Sequence, residues 1–253
     1  MSAENGSAKL RVAIVDDEAP ARALLREYLA VLPDVEIVAE CANGFDAVQA
    51  VDDLSPALLF LDIQMPGLSG FEVLELIGRE VAVVFVTAYD EYALRAFDVH
   101  AVDYLLKPFS GKRLAQALAR ARLRVGHPRE AGAERVAADA RPPGSWSARI
   151  VARDGGRVHV IPVDDLDFVE ARDDYVCLRS AGREVLKQQT LTALAAQLDP
   201  SRFVRVHRSF VLNVARIARI ERYAKDSRLA VLRDGAKVPV SRAGYAALRK
   251  HLK

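Results

Sequence analysis

Charged or hydroxylated residues follow four short apolar runs in the first half of the chain. They are Asp16-Asp17 after residues 10–15, Asp62 after 57–61, Thr87 after 81–86 and Lys107 after 101–106. A carboxylate such as that of Asp62 can attack a phosphoryl donor and form a covalent acyl phosphate. Clustered carboxylates repel one another unless a hard divalent cation lies between them, and a hydroxyl and an ammonium can hold phosphoryl oxygens. These residue types predict an aspartyl-phosphate site that requires Mg²⁺.

The elements that must position these residues are predicted by the alternation of strand and helix patterns. Five short apolar strands alternate with five helices, placed near 20–29, 44–54, 70–77, 91–97 and from 110 through 123. This order predicts a doubly wound, five-stranded parallel sheet with helices on both faces, where ligands gather at the carboxyl ends of the strands. Each polar residue alone has an ordinary explanation, such as a helix cap or a solvated lysine. Their joint placement after strands one, three, four and five favours a site.

The charge distribution separates the chain into two halves of opposite sign. Residues 1–109 contain 7 Lys and Arg against 19 Asp and Glu, whereas residues 110–253 contain 29 against 15. An acidic half suits a divalent cation and a basic half suits a polyanion such as nucleic acid. Two solvated surfaces of opposite sign that attract each other would give the same counts of basic and acidic residues. Charge alone leaves both interpretations open.

The composition changes between the two halves. Residues 126–147 are rich in Pro, Gly and Ala, which predicts a linker, with a short helix near 131–138. From residue 148 the pattern predicts strands, with a hairpin turn at 154–156, a second pair of strands at 168–170 and 175–178, and short helices at 190–198 and 241–252. The predicted division is therefore a first domain at 9–125, the linker, and a mostly-β domain at 148–253.

The first domain resembles the receiver domains of two-component signalling, which have a flavodoxin-like fold. The matching motifs are Val15-Asp16-Asp17-Glu18, Leu61-Asp62-Ile63-Gln64-Met65-Pro66-Gly67, Val86-Thr87-Ala88 and Lys107-Pro108-Phe109. The resemblance implies that Asp62 accepts a phosphoryl group from a sensor histidine kinase. It also implies that Asp17 and Asp62 bind Mg²⁺ directly, that Asp16 acts mainly through water, and that the backbone carbonyl of Gln64 completes the metal site.

The same resemblance implies a switch and a dimer. Tyr104 occupies the position of the family's switch aromatic, although a half-buried strand tyrosine would fit the sequence equally well. The responding face of related receivers is formed by helix 4, strand 5 and helix 5, and it includes here Tyr92, Arg95, Asp98, Asp103, Lys112 and Arg113. Mixed charges suit pairing across a two-fold axis in a homodimer. An ordinary solvated face fits them nearly as well.

The second domain resembles the LytTR family of bacterial DNA-binding domains. The matching segments are 165–171, 173–176, 191–198, 203–213, 232–235 and 238–242, of which Phe203-Val204-Arg205-Val206-His207-Arg208-Ser209-Phe210-Val211-Leu212-Asn213 is the most specific. Loops between strands reach the major grooves of double-stranded DNA in this family. The resemblance places Arg172-Asp173-Asp174, His207-Arg208 and Arg242 in such loops, with Lys187 as a phosphate contact. Without a role in DNA binding, Arg205 and His207 would be strand residues that face solvent. Lys187, Arg216 and Arg219 would then be ordinary basic surface residues.

Other functions are weighed against a phosphorylation-dependent transcription regulator. An enzyme gated by the receiver would need a catalytic set, and the second half contains none that we can assemble; its histidines are too scattered for a metal site. A protein-binding adaptor would not need the basic segment. RNA binding is disfavoured because the sequence shows no aromatic stacking motif. Without an apolar run of eighteen residues or an export signal, the chain is expected to be cytoplasmic, with Cys41 and Cys177 as buried thiols.

Overall fold

The first half of the chain forms the predicted parallel sheet. In the computed structural model, which describes residues 9–77, 81–88, 101–125, 146–154, 156–223 and 228–251, two compact units are separated between Ala140 and Arg141. The strands of the first unit are β1 (Leu10–Val15), β2 (Val35–Cys41), β3 (Leu58–Leu61), β4 (Ala82–Thr87) and β5 (Asp103–Leu106). Their order is β2-β1-β3-β4-β5, and all neighbouring strands are parallel. The central strands β3 and β4 are continuous buried apolar runs, as expected where helices cover both faces of a parallel sheet, whereas the edge strand β2 carries Glu36 and Glu40.

Three of the four helices described in the first unit begin after a capping residue. The four helices span Ala19–Ala30, Gly44–Leu54, Gly70–Leu76 and Gly111–Arg124. The side chains of Asn43, Ser69 and Ser110 each accept a hydrogen bond from a backbone N–H of the first turn, which satisfies a donor that the helix itself leaves free. The predicted helix at 91–97 and the predicted linker helix at 131–138 lie outside the described residues. Among the residues that are described, no helix is both long and apolar enough to cross a membrane.

The second unit is mostly β, as predicted. Its strands are β6 (Arg149–Asp154), β7 (Arg157–Pro162), β8 (Leu166–Arg172), β9 (Tyr175–Ser180), β10 (Arg183–Lys187), β11 (Phe203–His207), β12 (Phe210–Asn213), β13 (Ile217–Arg222), β14 (Arg228–Leu232) and β15 (Lys237–Val240). Strands β6 and β7 form the predicted hairpin, and two further antiparallel sheets have the orders β10-β9-β8-β12-β11 and β13-β14-β15. Short helices at Leu191–Ala195 and Arg242–Leu248 are capped by Thr190 and Ser241.

Both cysteines are buried in these folds. Cys41 ends β2 and is 4% exposed, and Cys177 lies in the middle of β9 and is 1% exposed. Burial raises the pKa of each thiol to about 11, because a thiolate loses its hydration in an apolar interior. The two side chains therefore pack as small hydrophobic residues, as the sequence indicates.

Candidate functional site

The carboxyl ends of β1, β3, β4 and β5 bring the predicted polar side chains to one edge of the first sheet. Asp16, Asp62 and Thr87 are buried there, and Asp17 is exposed beside them. Carboxylate oxygens of Asp16, Asp17 and Asp62 all lie within 4.8 Å of one another. This concentration of negative charge follows from the parallel topology, which places every strand end on the same side.

The ammonium of Lys107 lies at the centre of this acidic group. Its Nζ is 2.7 Å from Asp16 Oδ2, 2.9 Å from Asp62 Oδ2 and 3.2 Å from Glu18 Oε2. Burial alone would lower the pKa of Lys107, but the hydrogen bonds to Asp16 and Asp62 raise it well above its usual value. One ammonium offsets only part of the charge of four carboxylates, so this edge of the sheet keeps an excess of negative charge.

The two adjacent aspartates are in different environments. Asp16 is fully buried, contacts Lys107 and accepts a hydrogen bond from the Glu18 N–H at 3.0 Å. Burial raises the pKa of the Asp16 carboxyl, and the hydrogen bond from Lys107 opposes that rise only in part. The Asp17 carboxylate has no hydrogen-bond or ion-pair partner within the part of the chain that the structure describes. Asp17 is thus the carboxylate that is free to take a new ligand.

Thr87 contributes a buried hydroxyl at the end of β4. The Thr87 side chain is 0% exposed, and its Oγ1 has no hydrogen-bond partner among the described residues. A buried hydroxyl without a partner costs free energy, which a ligand that accepts its hydrogen bond would recover. Asp62 has an oxygen on the same edge, where Oδ1 accepts from the Gln64 N–H at 3.2 Å.

Strand β5 is tied to the helix Gly111–Arg124 by a buried carboxylate. Asp103, 4% exposed, accepts hydrogen bonds from Arg113 at 2.7 and 2.8 Å and from Arg120 at 3.0 Å. Arg113 also donates to the backbone carbonyl of Tyr104 at 2.6 Å. Burial alone would raise the pKa of Asp103, but the hydrogen bonds, first of all from Arg113, bring it below its usual value. Tyr104 is itself buried.

These contacts bear on the predicted dimer face. Asp103 and Arg113, which the sequence suggested as partners across a two-fold axis, are partners within one chain. Three other residues of the predicted face lie outside the described residues: Tyr92, Arg95 and Asp98.

Sequence reasoning missed two residues that shape the loops of the site. Arg22 donates from one guanidinium nitrogen to the carbonyls of Asp16 at 2.7 Å and Asp17 at 3.1 Å, which fixes the acidic turn. Gly70 allows its helix to begin against the main chain of Asp62, because any Cβ there would overlap the Asp62 carbonyl. Neither contact has a local sequence pattern, since each depends on how a helix packs against a strand end.

In the second unit, backbone hydrogen bonds bring the three predicted DNA-contacting loops to one edge. The Ala171 N–H donates to the Ser209 carbonyl at 2.8 Å, which joins the β8–β9 turn to the β11–β12 turn. The Ser241 N–H and hydroxyl both donate to the Val206 carbonyl, at 2.9 and 3.0 Å, which places the start of the last helix beside β11. The loops that the sequence separates by up to 70 residues are therefore neighbours.

The side chains at this edge differ in how available they are. Arg208 and Arg242 are exposed, and neither guanidinium has a partner within the described residues. His207 is half-buried, and its Nδ1 accepts from the Ser209 N–H at 3.3 Å. Asp173 and Asp174 are exposed at the tip of the β8–β9 turn, where Asp173 has a φ of +50°. Two free guanidinium groups on adjacent loops are suited to contact a polyanion.

Lys187 requires a correction. It was expected as a surface phosphate contact, but the residue is only 9% exposed, and its ammonium donates to the Val151 carbonyl at 2.7 Å. The ammonium thereby links β10 to β6, which belong to two different sheets. A buried ammonium that satisfies a buried carbonyl has a structural role, because withdrawing it would leave the carbonyl without a donor.

Comparisons with known proteins agree with this geometry. Residues 12–119 match the response regulator receiver domain and residues 156–253 match the LytTr DNA-binding domain. The chain is 38% identical over 247 residues to the transcriptional regulatory protein BtsR of Salmonella typhi, covering 95% of this chain and 98% of that protein. It is 33% identical over 247 residues to the sensory transduction protein LytT of Bacillus anthracis, covering 96% and 99%. The solved response regulatory domain of protein mrkE from Klebsiella pneumoniae aligns with 45% of this chain and 95% of that domain, with 30% identity and a TM-score of 0.42.

Proposed function

Because the chain belongs to the response regulators that join a receiver domain to a LytTR DNA-binding domain, we propose that phosphorylation of Asp62 controls its binding to DNA. A response regulator of this kind regulates transcription. The observation that carries the finer proposal is the position of Asp62 at one sheet edge, 2.9 Å from the Lys107 ammonium and next to the strand that ends at Thr87, whose hydroxyl has no partner among the described residues. The phosphoryl donor is a sensor histidine kinase, and the reaction takes place in the cytoplasm.

The chemistry at Asp62 is a phosphoryl transfer. A carboxylate oxygen of Asp62 forms a bond to phosphorus while the bond from phosphorus to the kinase's histidine nitrogen breaks and the nitrogen keeps the electron pair. Lys107 contacts Asp62 Oδ2 at 2.9 Å and can pair with the new phosphoryl oxygens. The Thr87 hydroxyl donates to the same group, which gives it the partner that it lacks.

The carboxylates fit a hard divalent cation, which prefers oxygen ligands. Asp17 and Asp62 would hold Mg²⁺ directly together with the Gln64 carbonyl, and Asp16 would act through water because its carboxylate is already paired with Lys107. The ion would supply positive charge that offsets the incoming phosphoryl oxygens. This assignment explains why four carboxylates share one edge with a single lysine.

Replacing Asp17 with Asn should weaken Mg²⁺ binding about tenfold or more, whereas replacing Asp16 with Asn should weaken it less. The physical reason is that Asp17 has a free carboxylate and Asp16 does not. Titration calorimetry with MgCl₂ measures the affinity, and mass spectrometry after incubation with a small phosphodonor measures incorporation with and without a chelator. Equal affinity in Asp17→Asn and the unaltered chain, or incorporation that resists the chelator, would contradict the assignment.

The phosphoryl group would drive a two-state switch by interacting more favourably with one state than with the other. Movement of Thr87 and Lys107 towards it allows the Tyr104 side chain to turn, and the Asp103–Arg113 contact transmits the change from β5 to the following helix. The output is self-association through the face of helix 4, strand 5 and helix 5. A homodimer would present two DNA-binding domains to two half-sites.

Beryllium fluoride, a phosphoryl mimic, should shift the unaltered chain from monomer towards dimer in sedimentation velocity. The reason is that the mimic offers Thr87 and Lys107 the same acceptors as the phosphoryl group. Asp62→Asn is the matched control and should show no shift with the mimic. A monomer of unchanged sedimentation coefficient with and without the mimic would argue against dimerisation as the output.

DNA recognition is assigned to the edge where the three loops meet. Arg208 and Arg242 present free guanidinium groups, which can make bidentate contacts with guanine edges. His207, already hydrogen-bonded to its own turn, is placed to support the loop and to contact phosphate or base. Lys187 is removed from the set of phosphate contacts because its ammonium is buried.

Arg208→Ala and Arg242→Ala should each weaken binding to the specific site by about 1–3 kcal/mol while changing non-specific binding much less. Arg219→Ala, an exposed residue on β13 whose guanidinium pairs with Glu221, is a control that should leave both affinities nearly unchanged. Fluorescence anisotropy on a specific and a scrambled duplex at several salt concentrations separates base contacts from phosphate contacts. If both arginine variants lower the two affinities equally, the residues contact phosphates and the base assignment is wrong.

A further inference from the structure

We propose that Glu170, together with Glu184, holds the Arg172 guanidinium away from DNA phosphates and so limits sequence-independent binding. This inference rests on the proposed DNA-binding function and adds to it a residue outside the three loops. It also revises the role of Arg172, which the sequence suggested as a DNA contact.

The guanidinium of Arg172 is bound by two carboxylates. Its Nε and one terminal nitrogen lie 2.9 and 2.8 Å from Glu170 Oε2, and its other terminal nitrogen lies 3.2 Å from Glu184 Oε2. All three nitrogens of the guanidinium thus lie within ion-pair distance of a carboxylate, and Nε donates a hydrogen bond to Glu170. Glu184 is shared with Arg179, whose terminal nitrogen lies 3.1 Å from Glu184 Oε1, so Glu170 is the carboxylate that pairs with Arg172 alone.

Both carboxylates lie behind the turn that carries Arg172. Glu170 precedes Arg172 by two residues on β8, which puts the two side chains on the same face of the sheet. Glu184 lies on β10 opposite Arg179, several residues back along β9 from the turn. The Arg172 side chain consequently extends over the sheet, away from the turn tip formed by Asp173 and Asp174.

The turn itself is adjacent to the loop of Arg208. The hydrogen bond from Ala171 N–H to the Ser209 carbonyl fixes the two loops side by side. A guanidinium released at this place would reach the same phosphates as its neighbour, because long basic side chains bind phosphate with little dependence on sequence. With Arg172 held back, the turn presents only the two exposed aspartates, which repel phosphate.

The side chains involved are about half-exposed, so the pairing is open to competition. The side-chain exposures are 44% for Arg172, 28% for Glu170 and 41% for Glu184. Exposed ion pairs are weak individually, but Glu170 binds two donors of one guanidinium and thereby fixes its plane. Loss of Glu170 should therefore release Arg172 more completely than loss of Glu184.

The test uses the full chain, a duplex enriched by the unaltered chain from a randomised pool, and a scrambled duplex of the same composition. Dissociation constants are measured for Glu170→Gln across a salt series. We expect binding to both duplexes to strengthen several-fold at low salt, by a similar factor because a phosphate contact does not depend on sequence, and the salt dependence of binding to steepen by about one released counterion. Glu184→Gln should change these quantities in the same direction by a smaller factor.

Two further variants separate release of Arg172 from simple removal of a negative charge. Asp174→Asn removes a carboxylate from the same turn without touching Arg172, so its effect on binding should be the same whether residue 172 is Arg or Ala. Arg172→Ala should have little effect alone, but it should cancel the gain of Glu170→Gln when the two are combined. Circular dichroism melting shows whether each variant is folded. If Glu170→Gln is not folded, Glu184→Gln is used in its place.

The inference is overturned if Glu170→Gln does not strengthen binding to the scrambled duplex, or if its gain persists in the double variant with Arg172→Ala. It is also overturned if Arg172→Ala alone weakens binding to the scrambled duplex, since the guanidinium would then already contact phosphate. Failure of the proposed function has a different outcome: the unaltered chain itself would bind the enriched and scrambled duplexes equally, before any variant is compared.

Discussion

Asp62→Asn is expected to reduce phosphoryl incorporation to background. The amide nitrogen and oxygen of asparagine are far weaker nucleophiles than a carboxylate, and Asp62 is the carboxylate that follows β3, 2.9 Å from Lys107 and next to the strand that ends at Thr87. The fold should persist, because an asparagine oxygen can still accept the hydrogen bond that Gln64 N–H donates to Asp62. Intact-mass spectrometry after incubation with a small phosphodonor and Mg²⁺ measures the incorporation.

A matched control for this change is Asp53→Asn, which alters an exposed carboxylate at the end of the helix Gly44–Leu54. It should incorporate one phosphoryl group as the unaltered chain does. Undiminished labelling of Asp62→Asn would show that another residue accepts the phosphoryl group, and peptide mapping of the labelled chain would identify it.

Gly244→Ala is expected to destabilise the second unit by about 3 kcal/mol and to abolish specific DNA binding. A Cβ at residue 244 would overlap the Val206 carbonyl and lie 2.6 Å from the Val206 Cα. The helix Arg242–Leu248 would have to move away from β11, and the hydrogen bonds from Ser241 to Val206 would break. Arg242 would then no longer be held beside the loop of Arg208. Thermal melting and anisotropy on the specific duplex measure the two effects.

Phosphorylation provides an internal control for this second change, because Asp62 lies in the other unit. Gly244→Ala should incorporate a phosphoryl group normally, and Ala243→Ser, an exposed position on the same helix, should retain both stability and DNA binding. A Gly244→Ala chain with unchanged melting and binding would mean that the helix does not need its close approach to β11.

Local sequence patterns were sufficient to predict the five parallel strands of the first unit and which polar residues meet at their ends. Each of β1, β3 and β4 is a buried apolar run followed by a polar residue, and parallel topology then requires those residues to meet. The helices Gly44–Leu54 and Gly70–Leu76 begin where the sequence pattern predicted them. These features depend on residues that are close together in the sequence, which is why they could be predicted without any tertiary information.

The features that could not be predicted depend on contacts between distant segments. Lys187 looks like a surface lysine until β6, 36 residues earlier, provides a carbonyl for its ammonium. One partner of Arg172, Glu170, is on β8, and the other, Glu184, is on β10. The contact with Glu184 can be recognised only when the register of β9 and β10 is known. Gly244 has no distinguishing sequence context, and its importance is set by the distance between a helix and β11.

The two buried thiols make the chain convenient for spectroscopy. With a pKa of about 11 for Cys41 and Cys177, only about one thiol in several thousand is ionised at pH 7.5, compared with about one in ten for an exposed cysteine of ordinary pKa. The sequence contains no other cysteine. A cysteine introduced at an exposed position such as Asp174 would therefore react with a maleimide dye far faster than either native thiol. Fluorophores could be attached at single chosen positions without first replacing Cys41 and Cys177, and the distance between the two units could be followed as the receiver is phosphorylated.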